Sequence, residues 1–568
     1  MNDLEIPLGK RTRQYRFFEM VPAILSYGSL AMLVILSLIN PILAVIYLML
    51  IIITLAVKAV GIAIHTIAGH RKIVRAQKLD WKARLGHLEN PGISYSVLKR
   101  KNSKKQIAEE LGFSHHLENL QKVASSPEVF PKPSELYNAV IIAAYNESYE
   151  VLAPTVQSVI NTTFDHDKII LTIAYEERGG QAIEDTVHRI QKEFKGIFFA
   201  LHAVKHPKDL PNEVIGKGGN ITHAGRFLQN WLREKGIASK NVIVTTLDSD
   251  NRPHKSYFDY LTYEYIVHED RKNLAYQPVS LFTNNIWDAP APMRVVATGN
   301  SFWNIITSMR PHMLRNFASH AQPMEALEEM DFWSTRTIVE DGHQYWRSYF
   351  HFKGNYMVIP LYVPIYQDAV MADTYPKTLK AQFIQLRRWA YGVSDIPYVA
   401  TRLFSRKRVV PFFPGIARLI RLTDGHVTLA TVSLLVAFGG WVPLLINNEA
   451  ARSISAHQLP DTISIIQRIA MVGLLITIFW SFKMLPPRPE RYKRQRTVLM
   501  VLQWVLMPVT AIIYSAVSAL YSQGRLFLGK YLDKFDVTDK ATHASIVRAK
   551  RAKTNSKRLI VRRNRKNS

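Results

Sequence analysis

The chain of 568 residues contains no cysteine, so it has neither a disulfide framework nor a metal site built from thiolates. Acidic residues are also few: 45 Asp and Glu stand against 72 Lys and Arg, which gives a formal net charge of +27. Such a basic chain binds either nucleic acid or anionic lipid. Long apolar blocks near both ends, each beside basic residues, favour lipid and exclude a soluble nucleic-acid-binding protein.

The first apolar block, over about 21–64, is long enough for two membrane spans, because about 20 apolar residues cross a bilayer. The predicted break between the spans is Asn40-Pro41, since proline and the residue before it disfavour a continuous helix. The block is too long for a signal peptide and has no cleavage site. Basic residues on both flanks predict that both ends of this hairpin are cytoplasmic.

Two more spans are predicted in the C-terminal third, at about 427–446 and 465–485. The loop between them carries only one basic residue, Arg452, whereas the segment 486–496 after the second is rich in Lys and Arg. By the positive-inside tendency, the loop is expected outside and the basic segment in the cytoplasm.

The last apolar stretch, 498–520, leaves the topology open. The basic segment before it and the tail 541–568, which has no acidic residue, are both expected in the cytoplasm. One span cannot begin and end on the same side. Either this stretch is re-entrant and broken at Pro508, or one more crossing lies near 409–420.

Between the apolar ends, the pattern alternates strand, loop and helix. Buried strands are predicted within 139–148 and 168–177, with a helix over 151–160 between them. This alternation is typical of an α/β domain with a mostly parallel sheet. Polar residues end the two strands: Tyr145, Asn146, Glu147, Glu176 and Glu177.

A third buried strand, in NVIVTTLDSDN (241–251), ends at two carboxylates, Asp248 and Asp250. Ligands bind at the carboxyl ends of strands in open α/β sheets. Two acids there can share a hard divalent cation, Mg²⁺ or Mn²⁺, whose other ligands are waters and substrate phosphates. The alternative is a strand that simply ends in a polar turn.

Two further polar motifs accompany the carboxylate pair. The glycine-rich turn 216–225 places Lys217 before a helix, which suits a phosphate contact; a plain flexible loop is the alternative. Glu340 and Asp341 offer a carboxylate for proton abstraction. The alternative for these two acids is a helix N-terminus, where acidic side chains are common.

An amphipathic helix is predicted over 378–392, because apolar residues recur there at helical spacing. A helix of this kind suits the membrane interface. This helix carries Gln385, Arg388 and Trp389; Arg388 can bind phosphate through its planar fork, and Trp389 offers a flat surface for stacking. The alternative is a membrane anchor whose arginines bind lipid headgroups.

The order of these motifs resembles that of membrane-embedded family-2 glycosyltransferases, the superfamily of cellulose, chitin and hyaluronan synthases, and most closely the catalytic subunit of bacterial cellulose synthase. Tyr-Asn-Glu, Lys-Gly-Gly-Asn, Asp-x-Asp, Glu-Asp and Gln-x-x-Arg-Trp follow one another over about 138–400. The resemblance implies a GT-A-like α/β cytoplasmic domain, a mostly parallel sheet with helices on both faces, inserted between N- and C-terminal transmembrane helices.

The resemblance also implies roles for individual residues. Asp341 would be the base that activates the acceptor, with inversion at the sugar. Asp250, helped by Asp248, would hold Mg²⁺ or Mn²⁺, and Glu340 with Trp389 would bind the acceptor. The nucleotide-sugar would contact Tyr145, Asn146, Glu147, Glu177, Lys217, Asp248, Gln385 and Arg388.

The chain departs from the family at two places. The segment 319–333, where the family positions the acceptor, differs from the commonest wording, and Glu176-Glu177 replaces the more usual aspartates after the second strand. A motif beyond the last apolar stretch resembles the family's cytoplasmic gating loop, although an ordinary polar loop is the alternative. Its residues are Phe535, Val537, Thr538 and Lys540.

The expected protein is a processive, inverting polysaccharide synthase. It would take a sugar from a UDP-sugar, UDP-glucose or a related donor, extend a β-linked glycan, and couple synthesis to translocation. It would lie in a bacterial cytoplasmic membrane, in contact with lipids and an accessory export subunit, with both termini cytoplasmic and no nucleic-acid partner.

The expected domain boundaries follow the same order. They are 1–84 for the N-terminal hairpin, 85–135 for a linker, 136–370 for the glycosyltransferase domain, 371–424 for interface helices, 425–530 for the C-terminal transmembrane region and 531–568 for the gating-loop-like motif and basic tail.

Two other functions compete with this expectation. The first is an enzyme that adds a single sugar to a lipid carrier; the Gln-x-x-Arg-Trp motif favours a polymer, because a stacking platform serves repeated addition. The second is a transporter or scaffold with a non-catalytic domain. A transporter places ionisable residues inside its spans; Lys58 and Arg468 are the main candidates here, and both can lie near span ends and snorkel.

Overall fold

A computed structural model of the chain describes residues 4–102, 112–447, 478–480 and 482–532, together with 458, 461, 464 and 465. Its centre is an eight-stranded sheet that contains the three predicted strands. The strands are β1 (Tyr137–Ala144), β2 (Ile169–Glu176), β3 (Ala200–His206), β4 (Val242–Asp248), β5 (Arg252–Pro253), β6 (Leu274–Leu281), β7 (Ala321–Pro323) and β8 (Met357–Tyr366).

The sheet is mixed, with the strand order β3-β2-β1-β4-β7-β6-β8-β5. Four of the seven neighbouring pairs are parallel, in keeping with a mostly parallel sheet, and the three antiparallel pairs involve β5 and β7. These two strands have only two and three residues. Such short segments carry too little alternation to be recognised in a sequence.

Helices flank the sheet and extend from it toward both ends of the chain. They are α1 (Arg13–Ile39), α2 (Pro41–Lys78), α3 (Trp81–His87), α4 (Pro91–Asn102), α5 (Phe113–Ser125), α6 (Tyr149–Ile160), α7 (Gln181–Glu193), α8 (Lys217–Glu234), α9 (Tyr257–Val267), α10 (Ala291–Ser308), α11 (Met324–Glu329), α12 (Glu340–His351), α13 (Tyr375–Ala390), α14 (Asp395–Leu403), α15 (Phe412–Phe438), α16 (Val442–Ile446), α17 (Gln495–Leu502), α18 (Met507–Thr510) and α19 (Ser518–Phe527).

The inner strands are buried on both faces, because their alternate side chains enter different cores. On β1, Ala139 and Ile141 pack with apolar residues of α8, whereas Val140 and Ile142 pack with those of α6, α7 and α9. Helices therefore cover both faces of this part of the sheet. Its carboxyl edge is left as the surface on which polar residues can gather.

The N-terminal helices break where the sequence predicts. Helix α1 ends at Ile39, and the Asn40 side chain accepts a hydrogen bond of 2.9 Å from the Ile42 amide at the start of α2. Within the described part of the chain, four segments are long and apolar enough to cross a membrane: Arg13–Ile39, Pro41–Lys78, Phe412–Ile446 and Gln495–Phe527. Most of the predicted span at 465–485 lies outside the described residues.

Two parts of the C-terminal region whose topology the sequence leaves open, 409–420 and the last apolar segment, contact the rest of the chain. The segment 409–420 forms no crossing of its own: from Phe412 it belongs to α15, where the Arg418 guanidinium lies 3.3 Å from the Tyr345 hydroxyl of α12. Near the start of the last apolar segment, Arg496 donates to the Trp287 carbonyl at 2.8 Å. Near its end, Ser522 donates to the Arg387 carbonyl at 2.8 Å. Both ends of this segment therefore contact residues that lie outside the apolar blocks.

The residues just before α1 are also fixed to the sheet domain. The Glu5 carboxylate lies 3.0 Å from the guanidinium of Arg347, which is only 2% exposed. Arg347 in turn donates to the Met330 and Phe332 carbonyls. Among the residues that the structure describes, the carboxylate paired with this buried guanidinium is that of Glu5.

Glu5→Gln is therefore expected to destabilise the protein by about 3 kcal/mol, because it leaves a buried guanidinium without a counter-charge. Thermal unfolding of the purified full chain in detergent measures the effect. The matched control is Glu89→Gln, whose exposed carboxylate accepts from Ser134 and is expected to contribute about 1 kcal/mol or less. Equal destabilisation by the two variants would contradict the prediction.

Candidate active site

Three elements meet at the carboxyl edge of the sheet: the end of β4, the first turn of α8 and the first turn of α12. The Asn220 amide nitrogen holds α8 in place, because it donates to the carbonyls of Ala144 at 3.2 Å and Ala174 at 2.9 Å, at or near the ends of β1 and β2. Lys217, the first residue of α8, thereby reaches the end of β4.

The glycines of the 216–225 segment have a packing role. A Cβ on Gly218 would lie 2.3 Å from the Ser334 carbonyl oxygen and 3.3 Å from Glu340 Cβ. The flexible-loop alternative is wrong, since most of this segment forms the first turns of α8. Close approach of α8 and α12 requires glycine here.

The Lys217 ammonium is the centre of the site. Its Nζ lies 2.9 Å from Asp248 Oδ1, 3.2 Å from Asp341 Oδ2 and 3.6 Å from Glu340 Oε1. The side chain is only 8% exposed. Burial opposes its charge, but Asp248, Asp341 and Glu340 outweigh burial and raise the Lys217 pKa well above its ordinary value. The lysine is therefore a fixed cation that joins three predicted site residues.

Glu340 and Asp341 are the first two residues of α12, so both the catalytic hypothesis and the helix-terminus alternative agree with their position. Burial of Glu340 raises its pKa to about 8, with a further contribution from Asp341, while Lys217 and Arg388 act in the opposite direction. At neutral pH the Glu340 carboxyl group is consequently protonated and can donate a hydrogen bond.

This protonation predicts a pH dependence of stability. Because the folded-state pKa of about 8 exceeds the ordinary 4.5, the folded chain keeps a proton that the unfolded chain releases. The stabilisation is complete below pH 4.5 and is lost as the pH rises through 8. Glu340→Gln, which resembles the protonated acid, should flatten this part of the profile of unfolding midpoint against pH.

The exposed Glu118→Gln serves as the control for that measurement, and its profile should match the wild type. An unchanged slope in Glu340→Gln would show that Glu340 does not carry the proton.

His320 is a member of the site that sequence reasoning missed. It is fully buried, and its Nδ1 lies 3.8 Å from Asp341 Oδ1. Nδ1 donates instead to the Phe317 carbonyl at 2.8 Å, and Nε2 accepts from the Trp333 indole at 3.1 Å. Burial lowers the His320 pKa. The family resemblance implies only that the 319–333 segment positions the acceptor, and no sequence motif distinguishes this histidine.

Asp248 and Asp250, at the end of β4 and just after it, can hold a divalent cation only if a substrate supplies the remaining ligands of the cation. Asp250 is nearly buried, and its Oδ2 accepts from the Asp368 amide at 3.1 Å. Asp248 is more exposed and contacts Lys217. No group of three or more His, Cys, Asp or Glu side chains suited to a metal occurs in the described part of the chain. Two carboxylates plus diphosphate oxygens match the way Mg²⁺ is usually bound.

The residues after β1 are held by internal bonds. Glu147 Oε2 accepts from the Tyr145 amide at 2.7 Å, and Oε1 accepts from the Ser249 hydroxyl at 3.0 Å. Glu147 therefore ties the end of β1 to the carboxylate pair after β4. Asn146 is exposed and Tyr145 is half-buried.

The two glutamates after β2 differ in environment. Glu176 is buried and pairs with Arg178 at 2.7 Å and His206 at 3.1 Å. Glu177 accepts from the Lys208 amide at 2.9 Å, and this bond lowers its pKa. Only Glu177, the residue predicted to contact the nucleotide, keeps its carboxylate near the surface.

Helix α13 carries Gln385, Arg388 and Trp389. Trp389 is 39% exposed, and its ring lies 6.0 Å from that of Phe282, which follows β6. Arg388 is close enough to oppose the raised pKa of Glu340. Gln385 accepts from Gln382 at 3.1 Å.

The apolar face of α13 is covered by protein. Leu379, Phe383 and Leu386 pack in the same cluster as Met500 and Tyr514 of the C-terminal segment. This packing replaces part of the lipid contact that the sequence predicted for an interface helix. The four gating-loop residues, Phe535, Val537, Thr538 and Lys540, lie outside the described residues.

The chain matches no protein-family model and no curated protein sequence. Among solved structures it is similar to the mannosyltransferase PcManGT from Pyrobaculum calidifontis, in complex with GDP-Man and Mn²⁺, at 16% identity and a TM-score of 0.38, over 76% of this chain and 99% of that one. It is also similar to S. aureus TarS 1-349 in complex with UDP, at 11% identity and a TM-score of 0.31, over 71% and 95% of the two chains. TM-scores this low support no assignment by themselves.

Proposed function

We propose that this protein is a membrane-embedded glycosyltransferase that transfers a sugar from a nucleotide-sugar to an acceptor hydroxyl, with inversion. The observation that carries the proposal is the Lys217 ammonium, 2.9 Å from Asp248 and 3.2 Å from Asp341. It joins a carboxylate at the end of a strand, where a diphosphate can bind, to a carboxylate that can act as a base.

The chemistry follows from these positions. A departing nucleoside diphosphate must be stabilised, and Lys217 supplies a buried positive charge for that purpose. A divalent cation on Asp250 and Asp248 would supply further electrostatic stabilisation of the diphosphate. Asp341 accepts the proton of the attacking hydroxyl. The protonated Glu340 beside it donates a hydrogen bond that orients the acceptor.

The finer proposal is a processive synthase. Trp389 is 39% exposed and packs against the buried ring of Phe282, so it offers an aromatic surface that suits stacking on successive sugar rings. We propose a UDP-sugar as donor, a β-linked glycan as product, and export past the apolar helices. Tyr145, Asn146 and Glu177 are proposed to contact the nucleotide, and the division of the chain given above is proposed as its domain organisation.

The transporter alternative has little support. Lys58, the in-span candidate within the described residues, pairs with Asp424 at 3.2 Å, and both side chains are about half-exposed. Arg468 lies outside the described residues. The acids and the lysine of the site are all present, which favours a catalytic domain.

The test uses the purified full chain in lipid, with Mg²⁺ or Mn²⁺ and a panel of radiolabelled nucleotide-sugars, and Asp341→Asn as the blank. High-molecular-weight, glycosidase-sensitive product from one donor is expected, and EDTA is expected to abolish it. Label only in a lipid-extractable product would indicate single addition to a carrier. Donor binding without transfer from any donor would contradict the enzymatic proposal for the isolated chain.

A further inference from the structure

Three arginines line a cleft on the side of α12 away from its first turn. Arg315 comes from the segment between α10 and β7, and Arg418 and Arg421 come from successive turns of α15. Tyr345 and Trp346 of α12 complete the walls. The cleft is open to solvent.

None of these arginines forms an ion pair with a carboxylate of the described residues. Arg418 Nε donates to the Tyr345 hydroxyl at 3.3 Å, and Arg421 Nη1 donates to the His312 carbonyl at 3.4 Å. The Arg315 guanidinium lies over the Trp346 ring, 5.4 Å from its centroid. Three cations therefore share one cleft without a counter-charge among these contacts.

The surroundings of Arg315 make the folded state less stable while the cleft is empty. Burial lowers the Arg315 pKa, and no acid lines the cleft. A desolvated cation without a partner destabilises the folded state. A bound anion would remove that penalty.

The cleft lies where the chain changes from a polar to an apolar surface. Phe413 and Ile420, on the same helix as Arg418 and Arg421, are exposed, and α15 continues into a segment apolar enough to span a membrane. Arginines at this level are placed to meet phosphate groups at a membrane surface.

We propose that this cleft binds the phosphate group of an anionic ligand, supplied either by a lipid headgroup or by a soluble phosphate. Three guanidinium groups line the cleft, and the planar fork of an arginine suits phosphate oxygens. This inference does not depend on the proposed sugar transfer. A ligand in the cleft would also contact the helix that begins with Glu340 and Asp341, because Tyr345 and Trp346 belong to that helix.

The test measures how ligands stabilise the purified full chain in dodecyl maltoside, because a ligand of the folded state raises the unfolding temperature. The additives are dioleoylphosphatidylglycerol, dioleoylphosphatidylcholine with the same acyl chains, and inorganic phosphate. A rise with phosphatidylglycerol alone identifies a lipid headgroup, and an additional rise with phosphate identifies a soluble source. No rise with either anion overturns the proposal.

Substitutions of the cleft arginines test whether the anion that raises the unfolding temperature binds in this cleft. Arg315→Gln and Arg421→Gln should each weaken the apparent affinity by about tenfold, the equivalent of one charge-assisted hydrogen bond. Arg421 is exposed, so its variant tests the cleft even if Arg315→Gln folds poorly. The matched control is Arg408→Gln, an exposed arginine shortly before α15 that does not line the cleft. An equal loss in the control, or none in the two cleft variants, overturns the proposal.

Discussion

Asp341→Asn is expected to abolish sugar transfer and to leave nucleotide binding intact. The amide has nearly the shape of the carboxylate but cannot accept the proton of the acceptor hydroxyl, so kcat should fall by about 10³-fold or more. Lys217 keeps Asp248 and Glu340 as neighbours in this variant, and the fold should survive. Radiolabel transfer measures the first effect, and displacement of a fluorescent nucleotide measures the second.

The matched control for this variant is Asp331→Asn. Asp331 forms an exposed ion pair with Arg226 at 2.8 Å, and asparagine tolerates its backbone φ of 53°. Its activity should stay within about twofold of the wild type, because exposed ion pairs contribute little. Full turnover by Asp341→Asn would remove Asp341 from the role of base.

Lys217→Met should have the second large effect. It removes the ammonium that lies within 3.6 Å of three carboxyl groups and leaves the charges of Asp248 and Asp341 to repel one another in a largely buried site. Breaking a buried ion pair from one side costs about 3–5 kcal/mol. We expect a loss of stability of that order and a loss of transfer by about 100-fold or more, as for other groups that stabilise developing charge.

The same substitution at Lys205 provides the control. Lys205 pairs with Glu184 at 2.8 Å on the surface, so Lys205→Met should cost far less stability than Lys217→Met. Lys217→Arg keeps the charge and should recover part of the stability but little of the activity, since a planar fork does not replace a compact ammonium. If Lys217→Met retained both stability and turnover, the ammonium would not be the centre of the site.

Several elements were predictable because their signals are local. The apolar runs within 139–148 and 241–251 are strands in the structure, and α1 and α2 separate at Asn40-Pro41. The spacing of apolar residues over 378–392 predicted α13. In each case the pattern of neighbouring residues determines which side chains can be buried, so the sequence alone specifies the element.

Motif order also selected residues that the fold brings together. Lys217, Asp248, Glu340 and Asp341 were all candidates, and they meet around one ammonium. Their contact itself was not readable from the chain, because 124 positions separate Lys217 from Asp341. Spacing along a chain gives no distance between elements that far apart.

Tertiary packing alone decided the remaining features. Hydrogen bonds with Phe317 and Trp333 hold His320 in the site. The Glu5 carboxylate, from the segment before α1, pairs with Arg347 of α12. Neither residue belongs to a motif or a periodic pattern. The sequence thus determined the strands, the apolar helices and the candidate acids, which depend on local side-chain character. Which groups share a buried space, and therefore which charges and protons they hold, depends on how those elements pack.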